Sequence, residues 1–172
     1  AVAYALLAPE PGWAEIDSAR VSRACAEVIR EAAAARRSDP VRGLGISSQG
    51  EAFTAVGPGG ELLANAMVSS DARAAPLIAA WGEPFGARRL YERTGHTSHP
   101  MFTLFKLLWL REHRPEVWKR AERFYCFEEL IQARLGIEPA ISWPLAGRTM
   151  LFNVREHRWE EEILSAIELD PA

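Results

Sequence analysis

The chain has 172 residues, of which 48% are hydrophobic and 25% are charged, so it is long enough to form one sizeable core. It contains no apolar run of about 18 residues, the length that would suggest a membrane span. Its net charge is −3, and its Lys and Arg residues are scattered rather than clustered in the basic stripe of a nucleic-acid-binding protein. Neither a membrane nor a nucleic acid is therefore an expected partner.

Cysteine usage and the first residues indicate the compartment. Only Cys25 and Cys126 are present, which match neither a disulfide framework nor a zinc ribbon. Residues 1–16 have neither the basic start nor the apolar centre of a signal peptide. Both observations favour a cytoplasmic protein with reduced thiols.

The first third of the chain predicts strands and one helix. The apolar run 2–7, stopped by two prolines and a glycine, predicts a strand that runs into a turn. Asp17 or Ser18 can cap a helix that ends near Arg37, because apolar residues recur at three- and four-residue spacing. These apolar positions are Val21, Ala24, Cys25, Val28 and Ile29.

Three strands are predicted next, at 41–49, 51–56 and 62–68, with a strong turn signal at 57–60. Helices are predicted at 72–81 and 83–93, the second ending at Thr94 and Gly95. Further on, a helix that starts at Pro115, a strand at 124–127, a helix at 128–135 closed by Gly136 and a last helix at 159–169 follow. This alternation predicts a mixed α/β domain.

The segment 102–110 is the most apolar in the chain and predicts a helix buried on more than one face. Lys106 is its only charged residue, and an unpaired buried ammonium costs several kcal/mol. We therefore expect the Lys106 side chain to run along the helix to a solvent-exposed rim, although a role in a wet cleft is the alternative.

The corner between two predicted strands carries a candidate binding group. Gly50 permits a close backbone approach, and an ionised Glu51 can accept hydrogen bonds from two hydroxyl groups. A solvated hairpin corner explains the same residues equally well. Likewise, Asp71 can cap the predicted helix 72–81 whether or not it also binds a ligand. His96 and His99 lack a third ligand nearby, so no metal site is predicted.

Residues 101–113 resemble the first signature of the FGGY carbohydrate kinases, which places a Ser, Thr or Pro, a Lys, an apolar residue, a Trp and a polar pair at fixed intervals. The matching positions are Met101, Thr103, Lys106, Leu107, Trp109, Leu110, Glu112 and His113. Residues 12–17 resemble the family's Gly-Trp-x-Glu-x-Asp segment. Residues 145–153 resemble its Ala-Ser-x-Thr-x-Leu-Phe-Asp motif, with Gly147 and Asn153 as departures. The resemblance covers nearly the whole chain.

The resemblance also implies which residues bind substrate. Residues 45–51 are similar to a family segment that reaches the sugar, and residues 65–74 are similar to the next pocket segment, in which Ser69 stands where a Trp is usual. Met101 falls where related kinases have a pocket-lining residue. The implied substrate-binding residues are Gln49, Gly50, Glu51, Ser69, Asp71, Arg73 and Met101.

The family's fold is α/β and ribonuclease H-like, of the actin and hexokinase type, with a mixed sheet flanked by helices, and residues 1–172 would form part of its N-terminal domain. The implied activity is ATP-dependent phosphorylation of a hydroxyl group of a sugar or polyol, with a xylulose-like ketose favoured. Gluconate, glycerol and autoinducer-2 kinases of the same family are alternatives, as is a non-catalytic relative that only binds a ligand or partner. Glu51 argues against an acidic substrate, because like charges repel.

The complete enzyme would use ATP and Mg²⁺, but we expect neither to be held by these residues alone. The family's Asp-x-Gly-Thr phosphate loop is absent, since none of the four aspartates has a Gly within the next two positions. The general base is expected in a segment beyond residue 172, so no catalytic residue is predicted here and the chain alone should have no kinase activity. The expected partners are a sugar or polyol and, through the nucleotide domain, ATP; a homodimer is one possible assembly.

Overall fold

The computed structural model describes residues 1–35 and 39–170. Its larger sheet has four strands in the order β1-β3-β2-β4, with β1 at Glu15–Ile16, β2 at Phe53–Val56, β3 at Ala66–Met67 and β4 at Arg123–Cys126. All of the described pairings in this sheet are antiparallel rather than mixed. A two-stranded antiparallel sheet joins β5 at Phe152–Asn153 to β6 at Arg158–Trp159.

Eight α-helices and two short helical segments surround the strands within the described ranges. The α-helices are α1 at Ser18–Ala35, α2 at Glu83–Phe85, α3 at Ala87–Thr94, α4 at Thr103–His113, α5 at Pro115–Arg120, α6 at Phe127–Arg134, α7 at Trp143–Arg148 and α8 at Glu161–Ala166. A 3₁₀ turn occupies Pro58–Gly60 and a π-helical turn occupies Ile78–Gly82. No helix in the described part of the chain is long and apolar enough to cross a membrane.

The four-stranded sheet is buried on both faces. Alternate residues of a strand point to opposite sides of the sheet, and here each side packs against its own core. Phe53 and Met67 belong to a core that includes most of α4. Ala66 and Val68 belong to a second core, which they share with residues of α1 and α6. The sheet is therefore the middle layer of a three-layered α/β arrangement, as the fold class predicts.

Helix α4 is the central helix that the sequence predicts, and it is buried on every side. All eight residues from Thr103 to Leu110 are buried, and Phe105 and Leu104 have no exposed surface. An apolar helix with no polar face requires neighbours all round. The sheet and the segments 74–90 and 150–169 provide them in one continuous core.

Two predicted strands are wrong. Residues 2–7 make only a single bridge, from Leu7 to Glu15, and residues 41–49 form no strand. Val41 and Leu44 in the second segment are 61% and 52% exposed. Short apolar runs become strands only when a neighbouring strand supplies hydrogen bonds along them. Of residues 2–7 only Leu7 pairs with β1, and no described strand pairs with residues 41–49.

Several predicted helix boundaries also move. Asp17 caps α1 as expected, because its Oδ1 accepts the Arg20 N–H at 2.9 Å, whereas the predicted end near Arg37 lies outside the described residues. The predicted helix 72–81 begins later, so Asp71 is not its N-cap. The predicted helix 83–93 is broken at Gly86, whose φ of 106° suits glycine. Gly95 ends α3 in the left-handed conformation, as expected.

Candidate functional site

The corner between residue 49 and β2 is a tight turn fixed from beneath by α4. Ala52 N–H donates to Gly50 O at 2.7 Å, and Glu51 between them has a φ of 61°, an uncommon value for a residue other than glycine. Thr103 Oγ1 of α4 donates to Glu51 O at 3.1 Å. The backbone of Glu51 is thereby held in one conformation, which fixes the direction of its side chain.

The carboxylate of Glu51 is buried and surrounded by polar partners. Ser69 Oγ donates to Glu51 Oε2 at 2.9 Å, and Gln49 Nε2 donates to Ser69 Oγ at 3.1 Å. Arg148 Nη2 forms an ion pair with Glu51 Oε1. We call Gln49, Glu51, Ser69 and Arg148 the Glu51 cluster; it joins three of the predicted substrate-binding residues to an arginine that the sequence analysis missed.

Arg148 lies at the end of α7, and its stem passes beside Gly50. A Cβ atom at position 50 would lie 3.4 Å from Arg148 Cγ, so glycine leaves room for this stem. The guanidinium carbon lies 5.2 Å from the centre of the Phe102 ring, within the range of a cation–π contact. One feature of the sequence points to Arg148, which lies inside the segment 145–153 that resembles a family motif. A buried carboxylate such as Glu51 needs a nearby cation, and this segment supplies one.

Lys106 is fully buried, so the expectation that it reaches a solvent-exposed rim is wrong. Its Nζ donates to Glu51 O at 3.3 Å and to Met67 O at 3.2 Å. Burial lowers the pKa of Lys106 to about 8, while the charge of Asp71 acts in the opposite direction. Lys106 therefore joins the Glu51 corner to β3, the strand that leads to Ser69.

Asp71 and Arg73 form a second, structural cluster with Glu15. Arg73 Nη2 contacts Asp71 Oδ2 and Glu15 Oε1, both at 2.7 Å, and the side chains of Asp71 and Arg73 are 0% and 3% exposed. The Arg73 guanidinium stacks over Trp13 at 3.7 Å, and Ala14 N–H donates to Asp71 Oδ2 at 2.7 Å. These contacts use both side chains to attach the turn after β3 to β1.

Met101 packs against the main core, and a separate cavity near Thr103 is lined by none of the predicted binding residues. Met101 is half-buried against the main core, two residues before Thr103, and its N–H donates to His99 Nδ1 at 3.2 Å. A cavity of about 760 Å³ lies between β4, α4 and the end of α8, and its lining includes Thr103 but none of the seven predicted residues. The structure thus brings Gln49, Gly50, Glu51 and Ser69 together. Asp71 and Arg73 pair with each other and with Glu15 instead, and their charges act on Lys106.

The exposed part of the Glu51 cluster offers hydrogen-bonding groups of both kinds. Gln49 contributes an exposed amide, Ser69 a half-buried hydroxyl and Arg148 a half-buried guanidinium. Such groups suit a ligand that is rich in hydroxyl oxygens. No group of three or more His, Cys, Asp and Glu side chains that could hold a metal ion occurs in residues 1–35 and 39–170.

Comparison with known proteins identifies the family of the chain. A glycerol kinase from Methylibium petroleiphilum is 32% identical over 96% of this chain and 35% of its own length. An L-xylulose/3-keto-L-gulonate kinase from Escherichia coli is 36% identical over 64% of this chain and 22% of its own. The structure of a ligand-bound xylulose kinase from Lactobacillus acidophilus has a TM-score of 0.88 and 26% identity, covering 99% of this chain and 34% of that one.

The chain therefore spans about a third of the length of the glycerol and xylulose kinases that it resembles over nearly its whole extent. The structural likeness confirms the predicted fold class, because the same layered α/β arrangement recurs in these sugar kinases. The family model for the N-terminal domain matches residues 1–172. The chain belongs to the FGGY family of carbohydrate kinases.

Proposed function

We propose that this chain forms the sugar-facing wall of a carbohydrate kinase that transfers a phosphoryl group from ATP to a hydroxyl group of a sugar or polyol. The observation that carries the proposal is the Glu51 cluster, a fixed set of hydrogen-bonding side chains. Family membership supports it, because FGGY proteins are carbohydrate kinases. Holding a hydroxyl group in the correct place is a large part of phosphoryl-transfer catalysis.

The predicted binding residues take different roles in this proposal. Gln49 and Ser69 present an amide and a hydroxyl to the substrate, Glu51 orients Ser69, and Met101 supplies an apolar contact. Asp71 and Arg73 act indirectly, because their mutual ion pair and the contact of Arg73 with Glu15 already occupy them. They hold the turn that carries Ser69 against the rest of the sheet.

We favour a ketose such as xylulose over glycerol as the substrate. Ser69 has a small side chain where the family usually has a Trp, so this pocket segment leaves space for a molecule longer than three carbons. The similar proteins include kinases named for glycerol and for xylulose, so both substrates belong in the experiment.

We expect these residues alone not to hold Mg²⁺-ATP, because the sequence has no Asp-x-Gly-Thr loop. The role that we propose for this chain is confined to holding and orienting the sugar. Residues 1–172 expressed alone should therefore show no ADP release with any sugar.

The test uses the full-length protein that contains these residues. Thermal shift with xylulose, glycerol and gluconate reports binding, since a ligand at 100 times its Kd stabilises the folded state by about 2.7 kcal/mol. A coupled ADP-release assay with Mg²⁺-ATP reports turnover. We expect both a thermal shift and ADP release with at least one of the three compounds. Binding without turnover would indicate a non-catalytic relative. The absence of both binding and turnover would refute the proposal.

A further inference from the structure

We infer that Arg148 is a specificity-determining residue whose guanidinium donates directly to an oxygen atom of the substrate. This inference rests on the proposed function, and it adds to the pocket a residue 97 positions beyond Glu51 in the sequence. It starts from a difference in exposure within one ion pair. The side chain of Arg148 is 39% exposed, whereas that of Glu51 is 3% exposed. The charged surface that this pair offers to a ligand is therefore that of the arginine.

Three contacts hold the guanidinium in place. Its charge pairs with Glu51 Oε1, its plane lies near the Phe102 ring, and its stem occupies the space beside Gly50. A side chain fixed in this way loses little conformational freedom when a ligand binds. The site is thus organised before the substrate arrives.

The Arg148 guanidinium has N–H donors that the ion pair with Glu51 does not use. It carries five N–H groups in a planar fork, and the ion pair with Glu51 is made through Nη2. The remaining N–H groups can reach a hydroxyl, carbonyl or carboxylate oxygen of a ligand at the exposed side. Gln49 and Ser69 stand on the other side of the Glu51 carboxylate, joined to it by a chain of hydrogen bonds.

The ion pair also changes the charge of the pocket. An unpaired Glu51 carboxylate would disfavour an acidic sugar, because like charges repel. Arg148 neutralises that carboxylate, so the local charge is close to zero and the exposed group is cationic. The class of ligand that this arrangement takes is a polyhydroxylated molecule, with acidic sugars admitted alongside neutral ones.

A double-mutant cycle separates direct contact from simple support of Glu51. The full-length protein is prepared as wild type, Arg148→Gln, Glu51→Gln and the double variant, and KM, kcat and thermal shift are measured with xylulose, glycerol and gluconate. Arg88→Gln is the matched control, because Arg88 makes an exposed ion pair with Glu92 on α3. Its kinetic constants should equal those of wild type.

We expect Arg148→Gln to raise KM for the substrate about 10- to 100-fold, the usual effect of losing a hydrogen bond from a charged donor, with a smaller change in kcat. The same increase should appear in the Glu51→Gln background, and it should be largest for gluconate among the compounds that bind. If Arg148 only supports Glu51, its removal will change nothing in that background, which overturns the inference while leaving the proposed function intact. A wild-type protein that neither binds nor phosphorylates any of the three compounds overturns both.

Discussion

Lys106 provides a sharp test of the buried core, because its effect on stability should change sign with pH. The side chain is fully buried on α4, and its Nζ donates to two backbone carbonyl groups, Glu51 O and Met67 O. Methionine has a similar length, so Lys106→Met removes the charge and the hydrogen bonds while keeping most of the packing. The variant isolates what the buried amine contributes.

Two opposing contributions set the difference in stability between Lys106→Met and wild type: the lost hydrogen bonds and the relieved burial of a charge. Losing two hydrogen bonds costs about 0.5–1.5 kcal/mol each, or about 1–3 kcal/mol in total. Against this, the fall in the pKa of Lys106 from 10.5 to about 8 corresponds to a penalty of about 3 kcal/mol for burying the charge at pH 7. At pH 7 the variant should therefore be as stable as wild type, or more stable by up to about 2 kcal/mol.

The stability of Lys106→Met relative to wild type changes sign at high pH. Between pH 8 and 10.5 the unfolded wild-type chain still binds the proton on Lys106 and the folded chain does not, so the free energy of unfolding of wild type rises with pH. Asp71 and Arg73 are charged side chains that act on Lys106, and burial raises the pKa of the nearby Cys126 thiol to about 12. At pH 10 about 1 kcal/mol of the charge-burial penalty remains, so the variant should be less stable than wild type by up to about 2 kcal/mol.

Urea unfolding followed by the fluorescence of the six tryptophans, at pH 7.5 and pH 10, measures both differences. Lys119→Met is the matched control, because Lys119 is an exposed lysine on α5 and its substitution should give the same difference from wild type at both pH values. A Lys106→Met difference that stays constant within about 0.5 kcal/mol across this range would show that the amine is solvated, and would refute the burial of Lys106 between α4 and the sheet.

Three other substitutions test the layers around the site. Phe105→Ala, at a residue with no exposed surface, should cost about 3–5 kcal/mol of unfolding free energy in urea denaturation; a cost below about 1 kcal/mol would contradict the packing around α4. Arg73→Met should cost about 3–5 kcal/mol by the same assay, because it leaves Asp71 and Glu15 without their cation, and an unchanged midpoint would show that this cluster contributes no stability. Burial raises the pKa of Glu129 to about 7, so the folded wild-type protein keeps a proton that the unfolded chain loses between pH 4.5 and 7, and its stability falls as pH rises. Glu129→Gln should therefore gain about 2 kcal/mol over wild type between pH 5 and pH 8, and parallel pH profiles would contradict the raised pKa.

The sequence was sufficient for features that depend on local pattern. An apolar segment with no polar face must be buried on all sides, and α4 is. Gly95 and Gly136 end helices where the sequence places them, because both take the positive φ that glycine tolerates. The fold class followed from the spacing around Lys106 and from the resemblance that this spacing carries.

Features that depend on distant partners could not be predicted in this way. The strand predicted at 41–49 failed because strand formation requires a neighbour, which a local pattern cannot supply. The partner of Glu51 was missed because Arg148 is remote in sequence and only the fold brings the two together. Sequence reasoning predicts Lys106 at a rim because a single sequence does not show that two backbone carbonyl groups lie within reach of its amine.

The position of a bound sugar shows whether the Glu51 corner holds the substrate. A crystal structure of the full-length protein with xylulose would measure the distances from the sugar oxygens to Gln49, Ser69 and Arg148. We expect hydrogen bonds of about 2.6–3.2 Å to at least two of these three side chains, with the sugar beside the Glu51 corner. A sugar bound elsewhere, such as in the cavity between β4 and α8, with none of its oxygens near this corner, would contradict the account.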